Sequence, residues 1–298
     1  MVLGSTRLLS VAAALITLSS VGCKRRQVQT PSALKPPSAP QGEQKAEKKF
    51  EFNDEQAQIV VNSTTKIVEK EFKEENSHLK YRNAVSFPQF DGSINDAQRR
   101  FNEAVRQRAR KEFEEYRRQQ LLPRSQAERF PRHHEDVEEF LQVAYDVPFV
   151  NEKLVSVRFY ASTYGRGAAH AVDYFFVFNY DLESERELSL PDLFLPSSHY
   201  LNLVSDYSRQ VVTEKLCGDL AQSEPLDDCL KTDQLFEEGI DARPKNFKSW
   251  SITRGGILFS FDPCQFAGCA AGEFYVLVPY SKIKPVLKSG SVVEQLLD

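Results

Sequence analysis

The run Leu154-Val-Ser-Val-Arg-Phe-Tyr-Ala-Ser-Thr-Tyr164, then Gly165-Arg-Gly167, then Ala168-Ala-His-Ala-Val-Asp-Tyr-Phe-Phe-Val-Phe-Asn-Tyr-Asp181, decides the fold. Val155, Val157, Phe159 and Ala161 alternate with Ser156, Arg158, Tyr160 and Ser162, the period of a strand with one buried face. In the second run Val172, Tyr174, Phe176 and Phe178 share one face, while Ala171, Phe175 and Val177 share the other. A strand apolar on both faces belongs in the middle of a sheet. Gly165 and Gly167 supply the backbone freedom of a tight connection, so the two runs are expected to pair as a hairpin.

Working outward, the chain falls into strands, helix, strands, helix and strands. Gln58 to Val68 is rich in β-branched residues and reads as one strand. A second covers Leu79 to Phe87, and Pro88-Gln-Phe-Asp-Gly92 breaks the pattern. A helix starts near Ser93 or Asn95, either of which can accept from free first-turn amides. Ala97, Phe101, Val105, Ala109 and Phe113 recur at i+4 spacing and form its apolar stripe. Further strands are expected over Phe140 to Val147, Ser249 to Thr253, Ile257 to Phe261 and Glu273 to Val278. Further helices are expected from Ser198 to Leu216, from Leu230 to Phe236 and from Pro279 to Leu287. Hairpins rather than crossovers join the strands, which argues for an α+β fold with helices packed on antiparallel sheet in two successive modules.

The N-terminus points to export. Arg7 precedes an apolar run from Leu8 to Leu18, eleven residues that as a helix cover about 16 Å against a bilayer core of roughly 30 Å. This is the pattern of a cleaved signal, expected over residues 1–23. Val21-Gly22-Cys23 resembles a bacterial lipobox, with Ser20 where leucine is usual. Lipidation of Cys23 is the favoured reading and an ordinary cleaved signal the other. Residues 24–49 are rich in Pro, Gln, Ser, Ala and Lys and read as a disordered tether. A small α+β module is then expected over 50–150, a larger domain over 151–288 and a tail over 289–298.

Of the five cysteines, setting Cys23 aside leaves Cys217, Cys229, Cys264 and Cys269. An even number in an oxidising compartment implies two disulfides. Three connectivities are open; local pairing of Cys217 with Cys229 and Cys264 with Cys269 closes the smallest loops. Spacings of twelve and five residues fit no common cysteine–zinc pattern. A net charge of −4 gives no reason to expect nucleic acid as a partner, and no cofactor motif stands out.

Candidate chemistry is sparse. His133-His134-Glu135-Asp136 is the densest metal-capable cluster, but adjacent residues point apart on any regular element, and no metal is expected there. His170 and Asp173 lie three apart on a strand and so on opposite faces. Ser162 has no glycine elbow and no third partner for a triad. Asn62-Ser63-Thr64 fits a glycosylation pattern of little meaning in a bacterial-type export context. No catalytic residue is expected. A binding surface built from Tyr160, Ser162, Tyr164, Arg166 and Phe266 is the better reading, because aromatic and arginine side chains on loops of a rigid sheet are what binding surfaces use.

Several segments carry a family resemblance. Asn179-Tyr-Asp-Leu182, Leu188-Ser-Leu-Pro-Asp-Leu-Phe194, Trp250-Ser-Ile-Thr253 before a glycine turn, and Val278-Pro-Tyr-Ser281 resemble the RsiV-like extracytoplasmic domain. Phe87-Pro-Gln-Phe90 with the Ile94-Asn95 helix resembles the smaller module that commonly precedes it beside peptidoglycan deacetylase domains. Together the segments span about residues 50 to 288. In the anti-sigma factors of this family the domain binds lysozyme. The resemblance therefore implies a non-enzymatic envelope protein whose ligand is a lysozyme-like muramidase or a peptidoglycan fragment, held at the membrane by its lipid alone. A structural lipoprotein without ligand and an enzyme of cell-wall metabolism are the alternatives. Two departures stand out: Cys264 and Cys269 replace tyrosines usual in that loop, and Glu185 replaces a common turn glycine.

Overall fold

The Leu154–Asp181 runs pair as a hairpin at the centre of a larger assembly. The computed structural model describes residues 58–60, 64–121, 138–165, 168–217 and 236–297, all of them in one unit spanning Phe52–Asp298. Seven strands form one sheet in sequence order: β1 (Gln58–Val60), β2 (Thr65–Asn76), β3 (Tyr81–Gly92), β4 (Glu139–Val150), β5 (Leu154–Tyr164), β6 (Val172–Asp181) and β7 (Arg186–Glu187). A second sheet holds β8 (Trp250–Ile252), β9 (Gly256–Phe261) and β10 (Phe274–Pro279), all antiparallel.

Helix α1 (Asp96–Gln120) begins where capping chemistry places it. The Asn95 carboxamide accepts the Gln98 N–H at 2.9 Å, and the Gln98 side chain accepts the Asn95 N–H at 3.0 Å. This reciprocal box satisfies two first-turn donors. Its stripe of Phe101, Val105, Ala109 and Phe113 buries against Phe90, Val157, Phe159 and Phe178. Odd-numbered residues of β5 therefore face α1. Leu154 and Val177 face the other way, into a second core shared with the three-stranded sheet and helix α2 (Tyr200–Cys217).

A buried polar network stitches the two sheets together. Ser156 Oγ donates to Asn179 Oδ1 at 2.6 Å and accepts the Ile252 N–H at 3.0 Å, while Asn179 Nδ2 donates to the Trp250 carbonyl at 2.8 Å. Asn179 and Trp250 each begin one of the resembling segments, so those motifs mark the joint between layers.

The structure revises several expectations. Gln58–Val68 contains two strands, with Gln58 opposite Val68 and Val60 opposite Lys66; β-branched composition reports strand but not reversal. Strand β3 runs through Pro88, because β4 pairs only with Tyr81–Val85 and the strand is one-sided there. Strands β3 and β4 are parallel, so α1 is a crossover, not a bridge between hairpins. Strand β6 is not central: β7 covers only Tyr180 and Asp181. Its burial on both faces comes from the layers above and below. The C-terminal helix is one turn, α3 (Tyr280–Ile283), continued as a tighter turn over Lys284–Val286, where Pro285 lacks an amide for a continuing α-helix. Residues 1–57 and the expected helix from Leu230 lie outside the described residues, save Phe236.

Candidate functional site

Tyr160, Ser162 and Tyr164 share the face of β5 turned towards the smaller sheet, and all three are half-buried. Tyr160 packs 5.4 Å from Phe175, which lies 5.5 Å from Tyr275. Arg158 covers Tyr275 at 5.1 Å and binds Asp146 through both carboxylate oxygens, at 3.0 and 2.5 Å. Burial pushes the Tyr160 hydroxyl up, and the neighbouring Asp173 and Glu273 carboxylates add to the shift. Tyr164 stacks 6.1 Å from Phe140, and its hydroxyl donates to the Ala168 carbonyl at 2.9 Å. Ser162 sits opposite Asp173 in the ladder.

The fifth member, Phe266, behaves otherwise. Phe266 is 1% exposed, wedged between Phe261 at 5.1 Å and Phe274 at 5.0 Å. It anchors its loop in the core and offers no surface. Arg166 lies outside the described residues, as do Cys23, Cys229 and the His133–Asp136 cluster; of Cys217 only the backbone is described. Cys264 and Cys269 form a disulfide with Cα atoms 4.2 Å apart. The loop they close meets the body of β6, where Asp262 Oδ1 accepts the Phe175 N–H at 2.7 Å. His170 is exposed, with Nδ1 2.8 Å from the Ala171 carbonyl oxygen. Among the described residues no three His, Cys, Asp or Glu side chains gather as metal ligands, and no helix is long and apolar enough to cross a membrane.

A concavity lies along the other edge of the same hairpin. A cleft of ≈ 730 Å³ follows β6 from Tyr174 to Asn179, within the roughly 300–1,000 Å³ of ordinary ligand sites. One wall is α1, through Arg108 and Glu112. The facing wall combines Leu188–Pro191, the start of α2 at Tyr200 and Leu201, and the segment Pro244–Trp250.

Its charges other than Glu187 are tied to partners. Arg108 lies 3.4 Å from Glu112 and 4.5 Å from the centre of the Phe176 ring, and Tyr174 donates its hydroxyl to Glu112. Burial and then Glu112 push the Tyr174 hydroxyl well above its ordinary value, so it remains a donor. Across the cleft Lys248 pairs with Asp262 at 3.1 Å. The Leu188–Pro191 wall is fixed by Asp192, which accepts the Ser189 N–H at 2.7 Å and hydroxyl at 2.6 Å and pairs with Arg186 at 3.1 Å. Burial alone would raise that carboxyl; these bonds outweigh it and hold it at about 2. Paired charges among aromatic and aliphatic walls suit holding a ligand. No local pattern announced this cleft, because its walls come from four distant segments.

Residues 191–281, from the cleft wall to α3, match the family described as "Protein of unknown function (DUF3298)". A stretch of 158 residues is 27% identical to the peptidoglycan-N-acetylmuramic acid deacetylase PdaC of Bacillus subtilis (strain 168). That stretch is 53% of this chain but 30% of the relative. Two crystal structures of DUF3298 family proteins share the fold. One, from Bacteroides fragilis NCTC 9343, has a TM-score of 0.53 and 14% identity, covering 80% of this chain and 98% of its own. The other, from Pseudomonas aeruginosa PAO1, has a TM-score of 0.50 and 15% identity, covering 77% and 96%. These matches support a DUF3298 domain over residues 191–281 without extending to the narrower anti-sigma-factor type.

Proposed function

We propose that this chain is an exported, lipid-anchored protein of the cell envelope whose folded unit binds peptidoglycan, or a lysozyme-like enzyme acting on it, without turning it over. The observation that carries this reading is the cleft along β6. Arg108 is committed to Glu112 and Lys248 to Asp262, Glu187 alone of its charged lining residues standing outside an ion pair among the described residues, and the rest of its walls are largely aromatic and aliphatic. Recognition uses such surfaces, whereas glycoside hydrolysis uses a pair of carboxylates, and Glu112, the other carboxylate of the lining, is tied to Arg108 and Tyr174. The likeness to part of a peptidoglycan deacetylase favours the wall as the setting, and the Cys23 segment favours a lipid anchor.

The test is direct. Purified protein is sedimented with insoluble peptidoglycan sacculi and titrated into a lysozyme while lysozyme activity is followed. Binding to one of the two, with no release of acetate from the sacculi, is expected. Absence of binding to both, with lysozyme activity unchanged, would overturn the reading.

A further inference from the structure

We infer that the cleft receives an extended peptide segment of a partner protein, which adds a strand to the free edge of β6 at Val177. The inference rests on the reading of the cleft as a recognition site and names what is recognised there.

Strand parity locates the contact. In an extended strand the N–H and C=O of one residue point to the same side, and alternate residues share that side. The Asn179 carbonyl accepts the Leu188 N–H at 2.7 Å. Phe175 donates its N–H to Asp262 and accepts the Ser249 hydroxyl at 2.8 Å. Both residues thus use the edge of β6 turned away from β5. Val177 lies midway between them, opposite Arg158 in an unshifted ladder, so its N–H and C=O point to the same edge. Val177 lines the cleft, and among the described residues nothing bonds to those two groups.

A strand edge with a free donor and acceptor is a template for another strand, and peptide addition to such edges is a recurring mode of recognition. The shape of the complement follows from covalent geometry. One residue of an extended chain presents an N–H and a C=O on one side and satisfies both groups of Val177. The acetamido group of an amino sugar is a trans amide whose N–H and C=O point in opposite directions, so it satisfies only one. One residue of a peptide therefore matches both groups of Val177, which a single acetamido group does not.

The walls set the pattern of the segment. Directly opposed residues on paired strands share a face, so the residue opposite Val177 meets Leu201, Pro244 and Phe247 and is apolar. Its neighbours face the α1 wall. There Arg108 is matched by Glu112, and Lys111 pairs with Glu115. Glu187 has no ion-pair partner among the described residues, so a basic residue beside the apolar one completes the charge balance.

A phage-displayed library of random linear dodecapeptides, panned against the full chain, tests this. Enriched peptides are expected to carry an apolar residue flanked by Lys or Arg. Their affinity should fall at least tenfold on Val177→Pro, which removes the outward donor while leaving the β5 ladder intact. It should fall severalfold on Glu187→Gln. Against the unaltered protein, N-methylation at alternate peptide positions should abolish binding in one phase and spare it in the other, a readout independent of folding of the variant. No enrichment, or enriched peptides indifferent to Val177→Pro and to N-methylation, would overturn the inference. Sedimentation with sacculi separates the two ideas: binding to sacculi without peptide binding defeats the strand-addition inference and leaves the proposed function standing.

Discussion

Asp192 shows how one side chain shapes the site. Its carboxylate ties Ser189 and Arg186 together beneath the Leu188–Pro191 wall and is held at about 2. A folded-state value below the unfolded one, about 3.9, means the stabilisation is fully present above pH 4 and is lost as pH falls through 2. Asp192→Asn is therefore expected to cost about 2 kcal/mol at pH 7 by denaturant titration, with the difference from wild type shrinking to about half by pH 3. A pH-independent difference would refute this assignment. Glu185 is a second residue-scale case. It sits at φ +54° and contacts Arg100 at the surface. The left-handed backbone costs an ordinary residue about 1 kcal/mol, and exposed ion pairs contribute about 0–1 kcal/mol. Glu185→Gly should leave stability unchanged or raise it by up to about 1 kcal/mol, measured the same way; a loss larger than about 1 kcal/mol would show the ion pair dominating. The family resemblance implies glycine at this turn, and the backbone angle gives the cause.

Among the elements, the Cys264–Cys269 loop is held by more than its sulfur bridge. Phe266 is buried, Gln265 Nε2 donates to the Gly239 and Asn246 carbonyls at 2.9 and 3.0 Å, and Asp262 caps Phe175. A loop this short gains about 2 kcal/mol from cross-linking. The double variant Cys264→Ser with Cys269→Ser should lose about that much while retaining its near-ultraviolet dichroism. Collapse of the tertiary signal would show the bridge to be the main anchor. Elements with strong local signals were legible in advance. The i+4 stripe of α1, its Asn95 cap and the β5–β6 hairpin each follow from spacing that no distant contact alters. What escaped was non-local. Alternation along β3 and β4 is the same whether they pair parallel or antiparallel, so the crossover left no trace. Phe266 looks like any loop aromatic until Phe261 and Phe274 close around it.

At the scale of the whole molecule, the seven-stranded sheet is covered by α1 on one face and by the small sheet with α2 on the other, and the edge of β6 opens between the layers. Both coverings overhang that edge, which makes it a cleft with two chemically different walls. The sequence directs attention to the turn of this hairpin, because glycines and tyrosines there are conspicuous. The edge lies on the same strand, and its walls include Arg108, Tyr200 and Trp250, all of them distant from it in the chain. A site assembled from such separate segments carries no periodic signature. Amide hydrogen exchange tests the central claim most directly, comparing the protein alone with the protein saturated by sacculi or by a lysozyme, whichever it binds. Recognition in the cleft predicts new protection at Val177, whose N–H has no partner among the described residues of the protein alone; protection confined to residues 163–168, with that amide unchanged, would contradict it.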